Sequence, residues 1–152
     1  MAKVTTLADE HHILRFVPYA RCEKDANDNV IGFLPEAFEL REGEEYLSAA
    51  WLEYFDAADR AGRCAEAMIA LKAQPAPKVG AKARFALGNV GEIRGACREH
   101  RQSVRISHEP VTDFDSHASV RQFQGASLEL LALLATNTWS EMLLPPNAKA
   151  VP

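Results

Sequence analysis

The sequence predicts an α+β fold: a single domain with a mixed sheet of about four or five strands packed with three main helices. Its 152 residues suit one domain that buries a core without disulfide or metal support. Apolar stripes at helical spacing cover 59–73, 89–101 and 127–137, and strand-like runs separate them. We expect the domain to span residues 1–144 and residues 145–152 to form a mobile tail.

The first half of the chain predicts mostly extended structure. Ile13–Tyr19 alternates between two faces and predicts a strand, and Pro18 indicates its end or an edge position. Residues 24–29 form a polar turn, and residues 31–40 are expected to pack on the core as a loop or short extended segments. Residues 44–55 fit helical and strand spacing alike, and their aromatic content favours a strand followed by a helical turn.

The clearest helix follows at 59–73, where apolar residues form one stripe and charged residues lie largely outside it. Residues 74–80 are rich in proline and predict a stiff connector, and residues 83–87 predict a short strand. Asn89 is then expected to cap the second helix, with Glu92 completing an Asn-x-x-Glu capping box.

The C-terminal part predicts two more extended segments and a third helix. A strand at 103–108 completes a β-α-β step with the preceding strand and helix, and residues 119–123 form a further extended piece. Residues 127–137 form a strongly apolar helix. Trp139, Met142 and Leu143 are expected to pack as a short helical turn after it.

Composition indicates an ordinary globular protein in a reducing compartment. The formal net charge of −4 argues against nucleic acid as the main partner, because binding to its backbone requires clustered Lys and Arg. Cys22, Cys64 and Cys97 are widely spaced and match no zinc-ligand spacing. With no leader segment and no apolar run long enough for a membrane span, we expect a cytoplasmic protein without a cofactor or membrane association.

The titratable residues gather in one loop after the strand that Pro110 ends. His108 and His117 lie nine residues apart and bracket several carboxylates. We predict His108, His117 and Asp113 as catalytic residues, with one histidine as the base and the carboxylate orienting it. No HxH or HExxH spacing supports a metal ion, so no metal site is expected. The alternative is a loop that only hydrogen-bonds to itself.

A second polar set lies on the predicted strands. Arg15 stands inside an apolar strand, where it either lies on a solvated face, forms a partly buried ion pair, or binds an anionic group. The predicted substrate-binding residues are Arg15, Tyr19, Tyr46, Ser48 and Arg84.

A strand arginine, a Tyr/Ser pair and a downstream glutamate resemble the arrangement in ADP-ribosyltransferase-like folds. The residues that carry this resemblance are Arg15, Tyr19, Arg21, Tyr46, Ser48 and Glu53. In that family such groups hold NAD and the glutamate assists transfer, so the resemblance implies a nucleotide-like ligand. The resemblance gives no individual residue a family role.

Missing motifs argue against several enzyme classes. The chain has no GxGxxG or GxxxxGK[ST] motif for nucleotide phosphates and no GxSxG nucleophile elbow. We therefore expect a small cytosolic protein-interaction or accessory subunit that binds a protein partner or forms a homo-oligomer. Aromatic residues prefer interface cores, and Trp51, Tyr54, Phe55 or Trp139 are expected to face the partner.

The alternative function is a small enzyme or ligand-binding domain that acts on an anionic or nucleotide-like substrate, with His108 or His117 moving protons. The sequence fits an enzyme and a non-catalytic subunit alike. The two functions differ in geometry: if Arg15, Tyr46, His108 and His117 converge on a cleft, the enzyme is favoured, and if they scatter, the interaction subunit is favoured.

Overall fold

The computed structural model describes residues 4–74, 82–121, 123, 125–139 and 141–144. The predicted tail at 145–152 and most of the predicted connector at 74–80 lie outside this part of the chain. No helix within the described ranges is long and apolar enough to cross a bilayer.

The described residues form nine strands in two sheets. The strand bounds are Thr5–Thr6 (β1), His12–Val17 (β2), Cys22–Lys24 (β3), Val30–Phe33 (β4), Tyr46–Trp51 (β5), Arg84–Asn89 (β6), Arg105–His108 (β7), His117–Arg121 (β8) and Glu141–Leu143 (β9). Seven strands make one sheet in the order β1-β7-β8-β5-β2-β6-β9, and β3 and β4 make a separate hairpin.

Three helices pack against the large sheet, and side-chain caps begin each of them. The bounds are Arg60–Lys72 (α1), Val90–Glu99 (α2) and Leu128–Leu133 (α3), and α3 continues into a π-helical turn at Leu134–Thr138. Asp59 accepts from the backbone N–H of the third helical residue of α1, and Asn89 and Ser127 do the same for α2 and α3. These bonds satisfy amides that the helix itself leaves unpaired.

The sheet separates two apolar layers. The larger core lies between the sheet and α2, α3 and a 3-10 turn at Pro35–Phe38, and it contains the alternate strand residues Ile13 and Val17. The smaller core lies on the opposite face under α1 and contains Leu14. Apolar residues on both faces of β2 fit its interior position in the sheet, between β5 and β6, and Pro18 follows its last residue.

The predicted α+β class and its three helices are confirmed, whereas four or five strands were too few. β1 and β9 contain only two or three residues each, too few for an alternating pattern to be recognised in the sequence. Met142 and Leu143 follow Trp139 at helical spacing, but they belong to β9, which pairs with β6. The short helical turn predicted there was wrong, because this edge strand is held by tertiary pairing.

The predicted β-α-β step is present, but its two strands are not neighbours. Four successive antiparallel pairings connect β6 to β7 through β2, β5 and β8, so β6 and β7 run in the same direction. Three strands separate this parallel pair, and the neighbouring strands of the large sheet pair antiparallel in the part of the chain that the structure describes.

Trp139 belongs to the larger core and cannot face a partner, contrary to the prediction. Its ring is fully buried, stacks on Phe38 at a centroid distance of 4.9 Å, and donates from Nε1 to the carbonyl oxygen of Ala86 at 3.0 Å. Gly88 lies so close that a Cβ there would stand 2.7 Å from the indole, so only glycine fits this position of β6.

Removing a leucine from the inner face of α3 tests this packing. Leu131 is 3% exposed, and Leu131→Ala is expected to lower the free energy of unfolding by about 2–5 kcal/mol because it leaves a cavity. Leu128 is 68% exposed on the same helix, so Leu128→Ala is the matched control and should change little. Equal urea midpoints for the two variants would show that α3 does not pack as described.

Candidate functional site

A break in the hydrogen-bond ladder between β2 and β5 opens a cavity in the sheet. The two strands pair only at Ile13 with Trp51 and at Leu14 with Ala50, near one end of each. Beyond Leu14 the strands separate, although β2 stays paired with β6 as far as Val17. The backbone of β5 from Ala50 towards Tyr46 therefore lacks a strand partner on the β2 side.

The guanidinium of Arg15 occupies this gap. Its Nε donates to the carbonyl oxygen of Ala37 at 3.0 Å, and its Nη1 donates to the carbonyl oxygen of Ser48 at 2.9 Å. Antiparallel strands direct the N–H and C=O of one residue to the same side, so the Ser48 N–H faces the same gap. Arg15 thus replaces a missing strand neighbour and keeps further N–H donors for a ligand.

Two further arginines line the same cavity. Arg21 and Arg41 line it together with Arg15, and Glu44 is the carboxylate among the lining residues. Burial lowers the pKa of Arg15 to about 10, and Arg21 and Arg41 lower it further while Glu44 opposes them. Burial, followed by repulsion from Arg41, also lowers the pKa of Arg21. The three guanidinium groups therefore repel one another.

None of these arginines forms an ion pair with a carboxylate in the described ranges. The Glu44 carboxylate accepts from the backbone N–H of Arg41 and not from a guanidinium. The cavity has a volume of about 360 Å³, and its polar lining includes Arg15, Arg21, Arg41, Tyr46, Ser48 and His117. The cavity therefore carries positive charge, and its arginines have N–H donors left for a ligand.

His117 is held as a neutral ring beside the Ser48 hydroxyl. Its Nδ1 lies 2.8 Å from the carbonyl oxygen of Glu109, and its Nε2 lies 2.9 Å from Ser48 Oγ. A carbonyl oxygen only accepts hydrogen bonds, so Nδ1 carries the proton and Nε2 keeps its lone pair. The Ser48 hydroxyl therefore donates to His117, which is the relation between a nucleophile and its base.

The backbone of Glu109 fixes the position of His117, and the side chains of Arg121 and Ser119 fix the Glu109 carboxylate. The N–H of Glu109 donates to the His117 carbonyl at 2.9 Å. Arg121 donates from Nε and Nη2 to the two carboxylate oxygens, and Ser119 Oγ donates to one of them at 2.6 Å. These bonds, those from Arg121 first, hold the pKa of Glu109 at about 2.

Aromatic rings enclose the imidazole. The rings of Tyr46 and Phe114 approach His117 edge-on at centroid distances of 5.4 and 5.2 Å, and the Arg121 guanidinium lies 4.5 Å from the centre of the Tyr46 ring. His117 is 2% exposed. This burial lowers the pKa of His117, against an opposing effect of Glu109, so the ring is neutral at pH 7.

His108 does not join His117, because the two side chains lie on opposite faces of the sheet. His108 pairs with Ala118, and His117 points to the other face because side chains alternate along a strand. The His108 ring contacts Trp51 at 4.8 Å and Tyr54 at 5.6 Å. Its Nε2 meets the backbone carbonyl of Asp115 at 2.7 Å, so no carboxylate orients it.

Three other predicted site residues lie away from the cavity lining. Asp113 is exposed in a tight turn with a φ of 62°, a left-handed conformation that aspartate adopts more readily than most residues. The Tyr19 hydroxyl donates to the Asp28 carbonyl, and its ring contacts Lys24. Arg84 donates to backbone carbonyls just before its own strand. The predicted members Arg15, Tyr46, Ser48 and His117 do share the cavity.

Sequence reasoning left Arg41 and Glu44 out of the site and gave Glu109 no individual role. Arg41 and Glu44 lie in an irregular segment whose course no periodicity predicts. The role of Glu109 depends on its register opposite His117, and that register is a tertiary property. Within the described ranges, no group of three or more His, Cys, Asp and Glu residues is placed to hold a metal ion.

The structure brings together part of the set that resembles ADP-ribosyltransferase-like folds. Arg15, Arg21, Tyr46 and Ser48 line the cavity. Glu53 lies elsewhere, because its carboxylate accepts from the backbone N–H of His12 and meets the His12 ring, both at 2.7 Å. The downstream glutamate of the resemblance is therefore engaged outside the cavity.

The pKa of Glu109 predicts a specific acid sensitivity. Because folding lowers this pKa from 4.5 to about 2, Glu109 stabilises the protein above about pH 4.5, and that stability is lost as the pH falls towards 2. Glu109→Gln is therefore expected to lower stability at neutral pH, with a deficit that shrinks over this window. Urea unfolding from about pH 6 to about pH 3 measures it.

Glu45→Gln is the matched control, because Glu45 also meets Arg121, but only at 3.5 Å and with 81% of its side chain exposed. Its acid profile should follow that of the wild type. A deficit of Glu109→Gln that stays constant over the whole pH range would show that the Arg121 contacts do not bind the ionised carboxylate selectively.

The chain matches no protein-family model, no curated protein and no solved structure.

Proposed function

We propose that this protein is a small ligand-binding domain or enzyme that takes an anionic, nucleotide-like ligand into the cavity between β2 and β5. The observation that carries the proposal is the convergence of Arg15, Arg21 and Arg41 on one cavity without an ion-pair partner among the described residues. Unpaired guanidinium groups in a concave site attract anions and can bind them with two parallel hydrogen bonds.

The apolar part of the lining favours a ligand that carries a ring in addition to its negative charge. Phe16, Leu71 and Phe114 contribute apolar surface to the cavity, next to the arginines. Its volume of about 360 Å³ falls within the range of small-molecule sites. A nucleotide combines the two features, because its base packs against apolar side chains while its phosphates bind guanidinium groups.

The expectation of a protein-interaction subunit has less support. Of the aromatic residues assigned to a partner surface, Trp139 is in the core and Trp51 is half-buried among other rings. Tyr54, 42% exposed, offers a small surface by itself. The convergence of Arg15, Tyr46 and His117 on one cavity favours the ligand-binding alternative.

Calorimetric titration with adenosine diphosphate tests the proposal, with adenosine as the uncharged comparison ligand. We expect the wild-type protein to bind the diphosphate and not adenosine, and added salt to weaken binding. Arg21→Ala and Arg41→Ala should each weaken binding by about tenfold, since each removes charge-assisted hydrogen bonds to the anion. Both variants should stay folded, because neither guanidinium forms an ion pair with a described carboxylate.

Arg98→Ala is the matched control, because Arg98 is exposed on α2 and does not line the cavity. Its affinity for the diphosphate should equal that of the wild type. Glu44→Gln removes the carboxylate from the lining and should strengthen binding. No binding of the diphosphate, or equal affinity in the Arg21, Arg41 and Arg98 variants, would overturn the proposal.

A further inference from the structure

Ser48 differs from the serines beside it in the sheet. Three serines lie in register on neighbouring strands, since Ser48 pairs with Ser119 and Ser119 pairs with Ser107. Ser107 and Ser119 are buried, and the Ser119 hydroxyl is engaged by Glu109. Ser48 is exposed to the cavity, and its hydroxyl donates to the free lone pair of His117.

The surroundings of Ser48 satisfy the usual requirements for an activated serine. The base is within hydrogen-bond reach of the hydroxyl, and the Glu109 carbonyl holds the base in the required tautomer. The Arg15 guanidinium contacts the carbonyl oxygen of the same residue, and the Ser48 N–H faces the same gap. These donors can stabilise negative charge that develops beside Oγ.

We propose that Ser48 is a nucleophile that attacks a phosphoryl group held by the cavity arginines, with His117 as its general base. The proposal rests on the proposed function for its substrate class, a phosphate ester or anhydride. It goes further in assigning covalent catalysis to this cavity. Phosphoryl chemistry is favoured because the transferred group carries its charge on oxygens that guanidinium groups bind.

The reaction proceeds in two balanced steps. In the first, Ser48 Oγ forms a bond to phosphorus, and the bond between phosphorus and the leaving oxygen breaks. The Oγ proton passes to Nε2 of His117 and then to the leaving oxygen. In the second, a water molecule attacks phosphorus and gives its proton to Nε2. The bond between Oγ and phosphorus then breaks, and His117 returns the proton to Ser48.

Glu109 acts as a positioning residue in this scheme. Its carbonyl oxygen accepts the Nδ1 proton, which keeps Nε2 directed at Ser48 and stabilises the imidazolium formed during each step. Arg121 and Ser119 hold the Glu109 side chain, so the base is fixed by a chain of bonds on β7 and β8. Neither Arg121 nor Ser119 lines the cavity.

The test is covalent labelling of the whole protein by diisopropyl fluorophosphate, an uncharged phosphorylating reagent, followed by peptide mass spectrometry. We expect one adduct, on Ser48, that forms in the folded protein and not in the urea-unfolded protein. Ser48→Ala should abolish it, and Ser103→Ala, at an exposed serine outside the cavity lining, should not. His117→Gln should slow labelling by about a hundredfold, a typical loss for a general base.

The comparison of folded and unfolded wild-type protein keeps the test decisive even if His117→Gln does not fold. Labelling spread over several serines, or Ser48 labelling at the same rate after unfolding, would overturn the proposal. If Ser48 is not labelled while adenosine diphosphate still binds, the nucleophile is wrong and the proposed function stands. If Ser48 is labelled but the diphosphate neither binds nor protects it, the anionic substrate class is wrong.

Discussion

The interaction on which the candidate site depends is the insertion of Arg15 between β2 and β5. Two paired strands satisfy each other's backbone groups, and a gap between them leaves polar atoms that need other partners. Arg15 supplies donors to the carbonyl oxygens of Ser48 and Ala37, so the strands stay apart without unpaired acceptors at those two positions. The cavity therefore lies between two strands of the sheet and is not a depression on the surface beside it.

This arrangement places the positive charge of Arg15 beside strand backbone that offers it only neutral partners. The Arg15 side chain is half-buried and bonds only to neutral carbonyl oxygens, while Arg21 and Arg41 add to the positive potential. Glu44 offsets part of this positive charge, and a bound anion would offset more of it. The site thus combines a structural role for Arg15 with a reason for the cavity to accept a negatively charged ligand.

A series of hydrogen bonds at the ends of β7 and β8 fixes the His117 ring. Arg121 holds the Glu109 carboxylate, the Glu109 backbone holds the imidazole, and the imidazole accepts from Ser48. Each member of this series has a partner on both sides, so Nε2 is directed at one hydroxyl and not at solvent. The cationic lining and the oriented base meet at Ser48, where the Arg15 and His117 contacts converge.

Local signals allowed much of the fold to be predicted, whereas the site depends on tertiary pairing. Asn89 caps the second helix as predicted, because capping acts over a few neighbouring residues. The sequence also indicated His117 as a base, but it paired that residue with His108. Whether two side chains in a hairpin share a face depends on register, and a shift by one residue reverses the answer.

The central claim is that the gap holding Arg15 is an anion site, and a crystal structure of the protein grown with tungstate tests it most directly. The heavy atom makes the anion identifiable by its anomalous scattering. We expect the anion in the cavity, within hydrogen-bond distance of Arg15 and Arg21. Tungstate bound only to arginines elsewhere, such as Arg84 or Arg98, with an ordered cavity that contains no anion, would contradict the account.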